Sequence, residues 1–197
     1  MVKTYRINEI FYSLQGEGRW AGRPAIFIRF SGCNLKCPFC DTNFSNYKEM
    51  TVSDIVQYIK SLTELCNFIV LTGGEPTLQI DEEFIKELHR HDYYVAIETN
   101  GTHSIPWNID WVTFSPKDAF VENATPVLCH ANEIKIVFDG EHSIKDYKVS
   151  APHKYLQPCD TGDKKKNAKI IAKLVDFLLK NPEWSISMQQ QKIINVR

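Results

Sequence analysis

The chain has 197 residues, of which 43% are hydrophobic and 24% are charged, and its formal net charge at pH 7 is −1. This size and balance predict one globular domain, residues 1–197, and exclude a general nucleic-acid-binding surface because no basic stripe stands out. A membrane-spanning segment is also excluded, since no apolar run approaches the ~18 residues that a span requires.

In chain order, the hydrophobic pattern predicts strands interleaved with a few helices. Residues 5–14 form an extended segment, and a glycine-punctuated loop leads from it to a first apolar strand at 25–30. Thr51 is expected to cap a helix at about 51–65, with Asp54 in the first turn. The remaining predicted strands are 68–71, 93–97, 111–114, 133–138, 155–156 and 184–188, and the remaining helices are 82–91 and 166–180.

The N-terminus passes directly into this pattern without the apolar stretch of a secretory signal, so we expect a cytoplasmic location. The predicted strands end in polar segments that contain glycine or proline, namely the cysteine loop, TGGEP, ETNG and SPK. Each alone is typical of a turn. In parallel α/β folds, however, the site lies at the carboxyl ends of the strands, so we expect these segments to share one rim.

Cys33, Cys37 and Cys40 follow the first strand at the spacing C-x3-C-x2-C. Thiolates hold iron–sulfur clusters, and three local ligands would leave one iron of a cubane open to a non-protein ligand. A structural zinc site usually needs four ligands, and the other three cysteines supply no second pair. A disulfide framework fits poorly with a chain of this length. From spacing alone, a cluster, zinc and ordinary thiols all remain open.

With these residues in view, CNLKCPFC followed by a strand ending in GGEP resembles the signature of the radical S-adenosylmethionine superfamily. SLQGEG, Cys40-Asp41-Thr42, LTGGEP, ETNG and SPK together narrow the resemblance to the 7-carboxy-7-deazaguanine synthase family, from residue 11 to the C-terminus. The resemblance implies an α/β fold, an abbreviated radical-SAM partial (β/α) barrel of about six strands with few helices.

The resemblance implies a carbon–nitrogen lyase. Its reaction would contract 6-carboxy-5,6,7,8-tetrahydropterin to 7-carboxy-7-deazaguanine with loss of ammonia, a step toward queuosine. The implied cofactors are a [4Fe–4S] cluster, S-adenosylmethionine and Mg²⁺. The cofactor-derived 5′-deoxyadenosyl radical would abstract hydrogen from C6 of the pterin, so no side chain is assigned as catalytic. A homodimer and a flavodoxin-type reductant are implied as well.

The same resemblance assigns the site residues. The implied metal ligands are Cys33, Cys37 and Cys40 for the cluster and Thr42 for magnesium. The implied substrate-binding positions are Leu14, Gln15, Gly16, Glu17, Arg29, Thr72, Gln191 and Arg197. The implied cofactor-binding positions are Phe39, Gly74, Glu75, Glu98, Asn100, Ser115, Lys117 and Gln157. Arg29, the one charge in an apolar strand, would then be a bidentate partner for a carboxylate or carbonyl edge.

One position departs from the family pattern. Gln191 stands where a substrate-facing histidine is usual, in Gln-x-His-Lys. Glutamine both donates and accepts hydrogen bonds but does not titrate near neutral pH. A binding role therefore remains open, whereas a proton-transfer role does not follow.

Two other functions compete with this interpretation. A small radical S-adenosylmethionine activase, which makes a glycyl radical on a partner protein, would share the cysteine loop but would not need LQGEG or Thr42. A non-catalytic iron–sulfur or zinc module would have no use for TGGEP, ETNG and SPK. The iron and zinc content of anaerobically purified protein separates this module from the enzymes.

Overall fold

A computed structural model describes residues 2–197 and shows one nine-stranded sheet covered by helices. The strands are β1 (Tyr5–Leu14), β2 (Pro24–Phe30), β3 (Lys48–Met50), β4 (Phe68–Gly73), β5 (Tyr94–Thr99), β6 (Trp111–Phe114), β7 (Glu133–Phe138), β8 (His153–Pro158) and β9 (Ser185–Ile186). The helices are α1 (Val52–Leu62), α2 (Glu82–His89), α3 (Lys164–Leu178) and α4 (Gln190–Ile193). Within residues 2–197 no helix has both the length and the apolar character needed to cross a membrane.

The strand order in the sheet is β3-β1-β2-β4-β5-β6-β7-β8-β9. Strand β1 pairs antiparallel with both β2 and β3, and every pairing from β2 to β9 is parallel. The parallel part contains six strands of four or more residues, which are β2 and β4 to β8. The prediction of about six strands describes this part, and β1, β3 and the two-residue β9 extend it at its edges.

Several element boundaries differ from those predicted. The bounds of β6 and β7 agree with the prediction, whereas β4 and β5 each continue two residues further, so that Thr72 and Glu98 lie on strands. The expected last strand at 184–188 shortens to Ser185–Ile186, because only those residues pair with β8. The cap of α1 is confirmed: Thr51 accepts a hydrogen bond from the Asp54 backbone, and Asp54 accepts one in return.

Alternation along the strands divides their side chains between two faces. One face packs against α1, α2 and α3 and forms the main core, which includes Ile28, Leu71, Ile97, Phe114 and Leu156. On the other face, the beginnings of the strands carry a second apolar cluster. Its members are Ala25, Phe68, Val70, Ala96 and Trp111.

The turn after β1 covers this second cluster. Trp20 packs against the rings of Phe68 and Trp111, with centroid distances of 5.6 and 5.0 Å. The guanidinium of Arg23 lies 4.3 Å from the centroid of Phe68. Aromatic packing therefore fills the inner face at the strand beginnings and leaves the carboxyl ends to form a site.

Glu133, at the start of β7, is buried and accepts a hydrogen bond of 2.8 Å from the Arg19 backbone. Burial raises the pKa of Glu133 to about 7 from 4.5, although Lys135 opposes this shift. As pH rises between these two values, the unfolded chain loses the proton first, so the carboxyl destabilises the fold progressively and the full penalty applies above pH 7.

We therefore expect Glu133→Gln to stabilise the protein at about pH 8 by roughly 1–3 kcal/mol, because one pKa unit corresponds to about 1.4 kcal/mol. The gain should disappear near pH 4.5. Thermal unfolding across pH measures the effect, with Glu183→Gln on the surface as the matched control. A gain that is equal at both pH values would contradict the assignment.

Candidate active site

A cavity of about 950 Å³ opens at the carboxyl ends of the parallel strands, and all twenty predicted site residues line it. This volume lies at the upper end of the range for small-molecule sites. The sequence motifs therefore meet at one place, as expected from the parallel topology. Which ligand each residue contacts stays a prediction.

The cysteine loop forms one part of the wall. The Cys40 backbone donates to the Cys37 carbonyl at 3.2 Å, and the Cys33 sulfur accepts from the Leu35 backbone at 3.4 Å. Burial raises the pKa of the Cys33 and Cys37 thiols. Across the described residues, no group of three or more His, Cys, Asp or Glu is arranged to hold a single metal ion.

Gly73, the last residue of β4, and Gly74, which follows it, allow the TGGEP loop to approach the cysteine loop. Gly73 has a φ of +127°, a region that side chains other than glycine rarely adopt. A Cβ atom at Gly74 would lie 1.9 Å from the Gly32 carbonyl oxygen. Larger residues are therefore incompatible with this close contact.

Glu75 connects three of the predicted segments. Its buried carboxylate accepts hydrogen bonds of 2.8 Å from both the Thr99 hydroxyl and the Asn100 backbone. The Asn100 amide donates in turn to Asn34 in the cysteine loop at 3.1 Å. Glu75 and Asn100 thus hold the rim segments together.

Lys117 is a half-buried lysine on the cavity wall whose Nζ donates to the Ser115 hydroxyl at 2.6 Å. Burial lowers its pKa, and the charges of Cys37 and Glu98 partly oppose this shift. In the described part of the chain, no carboxylate lies within salt-bridge distance of this ammonium. A cationic group without an ion-pair partner on the cavity wall is suited to an anionic ligand.

Two further cofactor candidates lie on the same wall. Phe39 packs edge-on against Phe120, with the ring centroids 4.9 Å apart. The Gln157 side-chain oxygen accepts a hydrogen bond from Ser187 at 3.3 Å.

In the LQGEG loop, Gln15 donates to Glu98 at 3.4 Å. Glu17 and Glu98 both contact the buried ammonium of Lys135, at 2.7 and 2.9 Å. The sequence analysis missed Lys135. Its signal was a single charge within the apolar strand EIKIVF, the same signal that identified Arg29.

Arg29 is already paired within the protein. Its Nε donates to Glu9 at 2.7 Å, and Glu9 also pairs with the guanidinium of Arg197. The other end of the Arg29 guanidinium lies 3.4 Å from the Thr42 hydroxyl. The main-chain oxygen of Arg197 accepts from Ser13 at 2.6 Å. Glu9, which sequence analysis missed, thus joins Arg29 to Arg197 and fixes Arg29 beside the predicted magnesium ligand.

The C-terminal segment covers the LQGEG loop. Its Gln190 backbone donates to the Gly16 carbonyl at 3.0 Å. The Gln191 amide donates to Glu17 at 3.2 Å, whereas its side-chain oxygen is buried and accepts no hydrogen bond within residues 2–197. This oxygen packs against Gly16, where a Cβ atom would lie only 1.7 Å from it, so any larger residue at position 16 would displace Gln191.

Comparisons with known proteins bear on this site. The profile of the Radical SAM superfamily matches residues 27–114. The chain is 44% identical over 193 residues to the 7-carboxy-7-deazaguanine synthase of Bacteroides thetaiotaomicron, covering 98% of each chain. It is 37% identical to the enzyme of that name from Haemophilus influenzae, covering 98% of this chain and 94% of the relative.

The chain belongs to the 7-carboxy-7-deazaguanine synthase family. Its structure matches that of QueE from Escherichia coli with a TM-score of 0.73 and 26% identity, covering 95% of this chain and 94% of that one. The predicted fold class, a radical-SAM partial barrel, is confirmed. Family membership implies a [4Fe–4S] cluster and S-adenosylmethionine as cofactors.

The residues present fit these two cofactors. Three thiols on one loop reach the cavity, and the absence of a compact single-ion site in the described residues is compatible with a cubane, whose bulk separates its ligands more widely. Lys117 offers an ammonium to a carboxylate. The TGGEP and cysteine loops are in close contact at Gly74, and both line the cavity.

We expect alanine substitution of Cys33, Cys37 or Cys40 to abolish cluster incorporation, because each removes one thiolate from the loop. Iron content after anaerobic reconstitution, near four irons per chain for the wild type, measures the effect. Cys159 is the sharpest control, since it also lines the cavity but lies outside the loop. Iron loss in Cys159→Ala, with iron retained in Cys33→Ala, would refute the ligand set.

Proposed function

We propose that the chain converts 6-carboxy-5,6,7,8-tetrahydropterin to 7-carboxy-7-deazaguanine with loss of ammonia, a step in queuosine biosynthesis. The observation that carries the proposal is that one cavity joins the cysteine, TGGEP and SPK segments to the LQGEG loop, Arg29 and Thr42. The named relatives at 44% and 37% identity support it.

When bound, the cluster and S-adenosylmethionine supply a carbon-centred radical that abstracts hydrogen from the substrate. Cys33, Cys37 and Cys40 would hold the cluster. The Lys117 ammonium would pair with the carboxylate of S-adenosylmethionine. Phe39, held edge-on by Phe120, would support the adenine.

The pterin would lie against the LQGEG loop. Its ring N–H and amino groups are donors, which match the Glu17 carboxylate, and Gln191 lines the cavity beside Glu17. Arg29 keeps donors that Glu9 does not use and would orient the substrate carboxylate. The Arg197 main-chain oxygen, held at the rim by Ser13, would limit access to this end.

Magnesium would bind between Thr42 and the substrate carboxylate. A neutral hydroxyl is a weak ligand, but Mg²⁺ keeps several waters and takes substrate oxygens, so one protein ligand is sufficient. Arg29 lies next to Thr42, so the cation and the guanidinium would share the substrate carboxylate.

The wider assignment has three parts. Residues 1–197 would form a single catalytic domain, the protein would act as a homodimer in the cytoplasm, and a flavodoxin-type protein would supply electrons. Size-exclusion chromatography with light scattering tests the dimer. Reduction kinetics with a purified flavodoxin test the electron donor.

An anaerobic assay of the reconstituted protein tests the function. The carboxytetrahydropterin should give 7-carboxy-7-deazaguanine and ammonia only when S-adenosylmethionine and a reductant are present. Production of 5′-deoxyadenosine without any deazaguanine would show a radical enzyme with another substrate. No cleavage of S-adenosylmethionine by cluster-loaded protein would exclude the proposed chemistry altogether.

We expect Thr42→Ala to keep its cluster and its uncoupled cleavage of S-adenosylmethionine, yet to turn over the pterin slowly and respond little to magnesium. Thr42→Ser retains the hydroxyl and serves as the matched control with a near-normal response. Magnesium titrations of the rate compare the three proteins. A wild-type titration curve for Thr42→Ala would place the metal elsewhere.

A further inference from the structure

Lys135 lies between two walls of the cavity. It projects from β7 on the inner face of the sheet, and only 6% of its side chain is exposed. Its ammonium contacts Glu17, in the loop after β1, and Glu98, at the end of β5. These two elements carry different predicted roles, since Glu17 belongs to the substrate positions and Glu98 to the cofactor positions.

Lys135 determines the charge of Glu17. Burial alone would raise the pKa of Glu17, but the ammonium of Lys135 and the amides of Gln189 and Gln191 outweigh it and lower that pKa to about 2. Both amides donate to the same carboxylate oxygen, at 3.0 and 3.2 Å. The orientation of Gln191 therefore follows from an ionised Glu17, because a carboxylate accepts only and so attracts the NH₂ group.

The surroundings of Lys135 contain more negative than positive charge. Glu17, Glu98 and Glu133 all raise the pKa of Lys135 against the effect of its burial. The charges of Lys135 and Lys117 both lower the pKa of Glu98. Burial outweighs them, so the pKa of Glu98 is raised from its ordinary value. Without Lys135, Glu17 and Glu98 would form a buried pair of like charges, which favours protonation of one of them.

We propose that Lys135 is a positioning residue for substrate binding: its ammonium joins Glu17 to Glu98 and holds the Glu17 carboxylate in place to accept hydrogen bonds from the donor groups of the substrate. The inference rests on the proposed function. It concerns a residue that acts through its neighbours, so a change in substrate affinity alone would not distinguish it from a packing residue.

The test compares substrate affinity across pH in anaerobic, cluster-loaded protein. Calorimetry gives the dissociation constant of 6-carboxy-5,6,7,8-tetrahydropterin for the wild type and for Lys135→Met between about pH 6 and pH 8. Substrate ionisation affects both proteins equally. The dissociation constant of Lys135→Met divided by that of the wild type therefore reports only the effect of protein ionisation on binding. We expect this ratio to exceed about tenfold and to increase roughly three- to tenfold per pH unit as pH falls, because Glu17 must lose a proton to bind.

Matched variants make the result specific. Lys135→Arg keeps the charge and should restore a ratio that is independent of pH, whereas Lys154→Met on the exposed face of β8 should resemble the wild type. Glu133→Gln measured alone shows how much pH dependence that carboxyl contributes. If Lys135→Met does not fold, Lys135→Met/Glu98→Gln also leaves Glu17 without its cation, and burial then raises the pKa of Glu17, so a weaker pH dependence of the same sign is expected.

A ratio that is constant across pH, in either Met variant, overturns the inference and leaves Lys135 as a packing residue. Wild-type protein that loads its cluster but does not bind the pterin overturns the proposed function instead. Calorimetry in two buffers with different ionisation enthalpies also counts the protons that are released when the substrate binds. Additional proton release on binding to Lys135→Met supports the inference, and equal release in both proteins contradicts it.

Discussion

The parallel pairing of β2 with β4 and of the following strands with one another is the constraint on which the site depends. Because side chains alternate, one face of every strand points into the same interior. Along that face the residues change from aromatic at the strand beginnings to polar at the carboxyl ends, for example from Phe68 to Thr72 in β4. A one-residue shift of a strand would remove its polar residue from the cavity.

Within this interior, ionised groups are retained at a cost in stability. Desolvation of a buried ion pair usually offsets its Coulombic attraction, so an apolar interior would be at least as stable. Lys135 with Glu17, Glu98 and Glu133 leaves an excess of negative charge. An excess of negative charge suits a ligand that is rich in N–H donors. Lys117 supplies a positive charge at the part of the cavity where the carboxylate of a ligand is expected.

The sequence predicts the strands and their common rim because apolar runs and polar endings are local signals. It predicts the cavity residues through motifs that the parallel topology brings together. The Glu9–Arg29 ion pair could not be predicted, since it depends on the register of β1 against β2. Strand β3 and helix α4 are short, so local propensity does not determine them. Lys135 was predictable, because a lone charge in an apolar strand indicates a buried partner.

The C-terminal segment shows how this chain accommodates glutamine in place of the usual histidine. A histidine at position 191 would donate to Glu17 in only some of its tautomers, whereas an amide always carries both a donor group and an acceptor. Glu17 binds the donor side, and Gly16 has no Cβ, which would otherwise lie 1.7 Å from the acceptor oxygen. The ionised Glu17 and the absent side chain at Gly16 therefore fix the orientation of Gln191, with its NH₂ group on Glu17 and its oxygen against Gly16, at any pH where Glu17 keeps its charge.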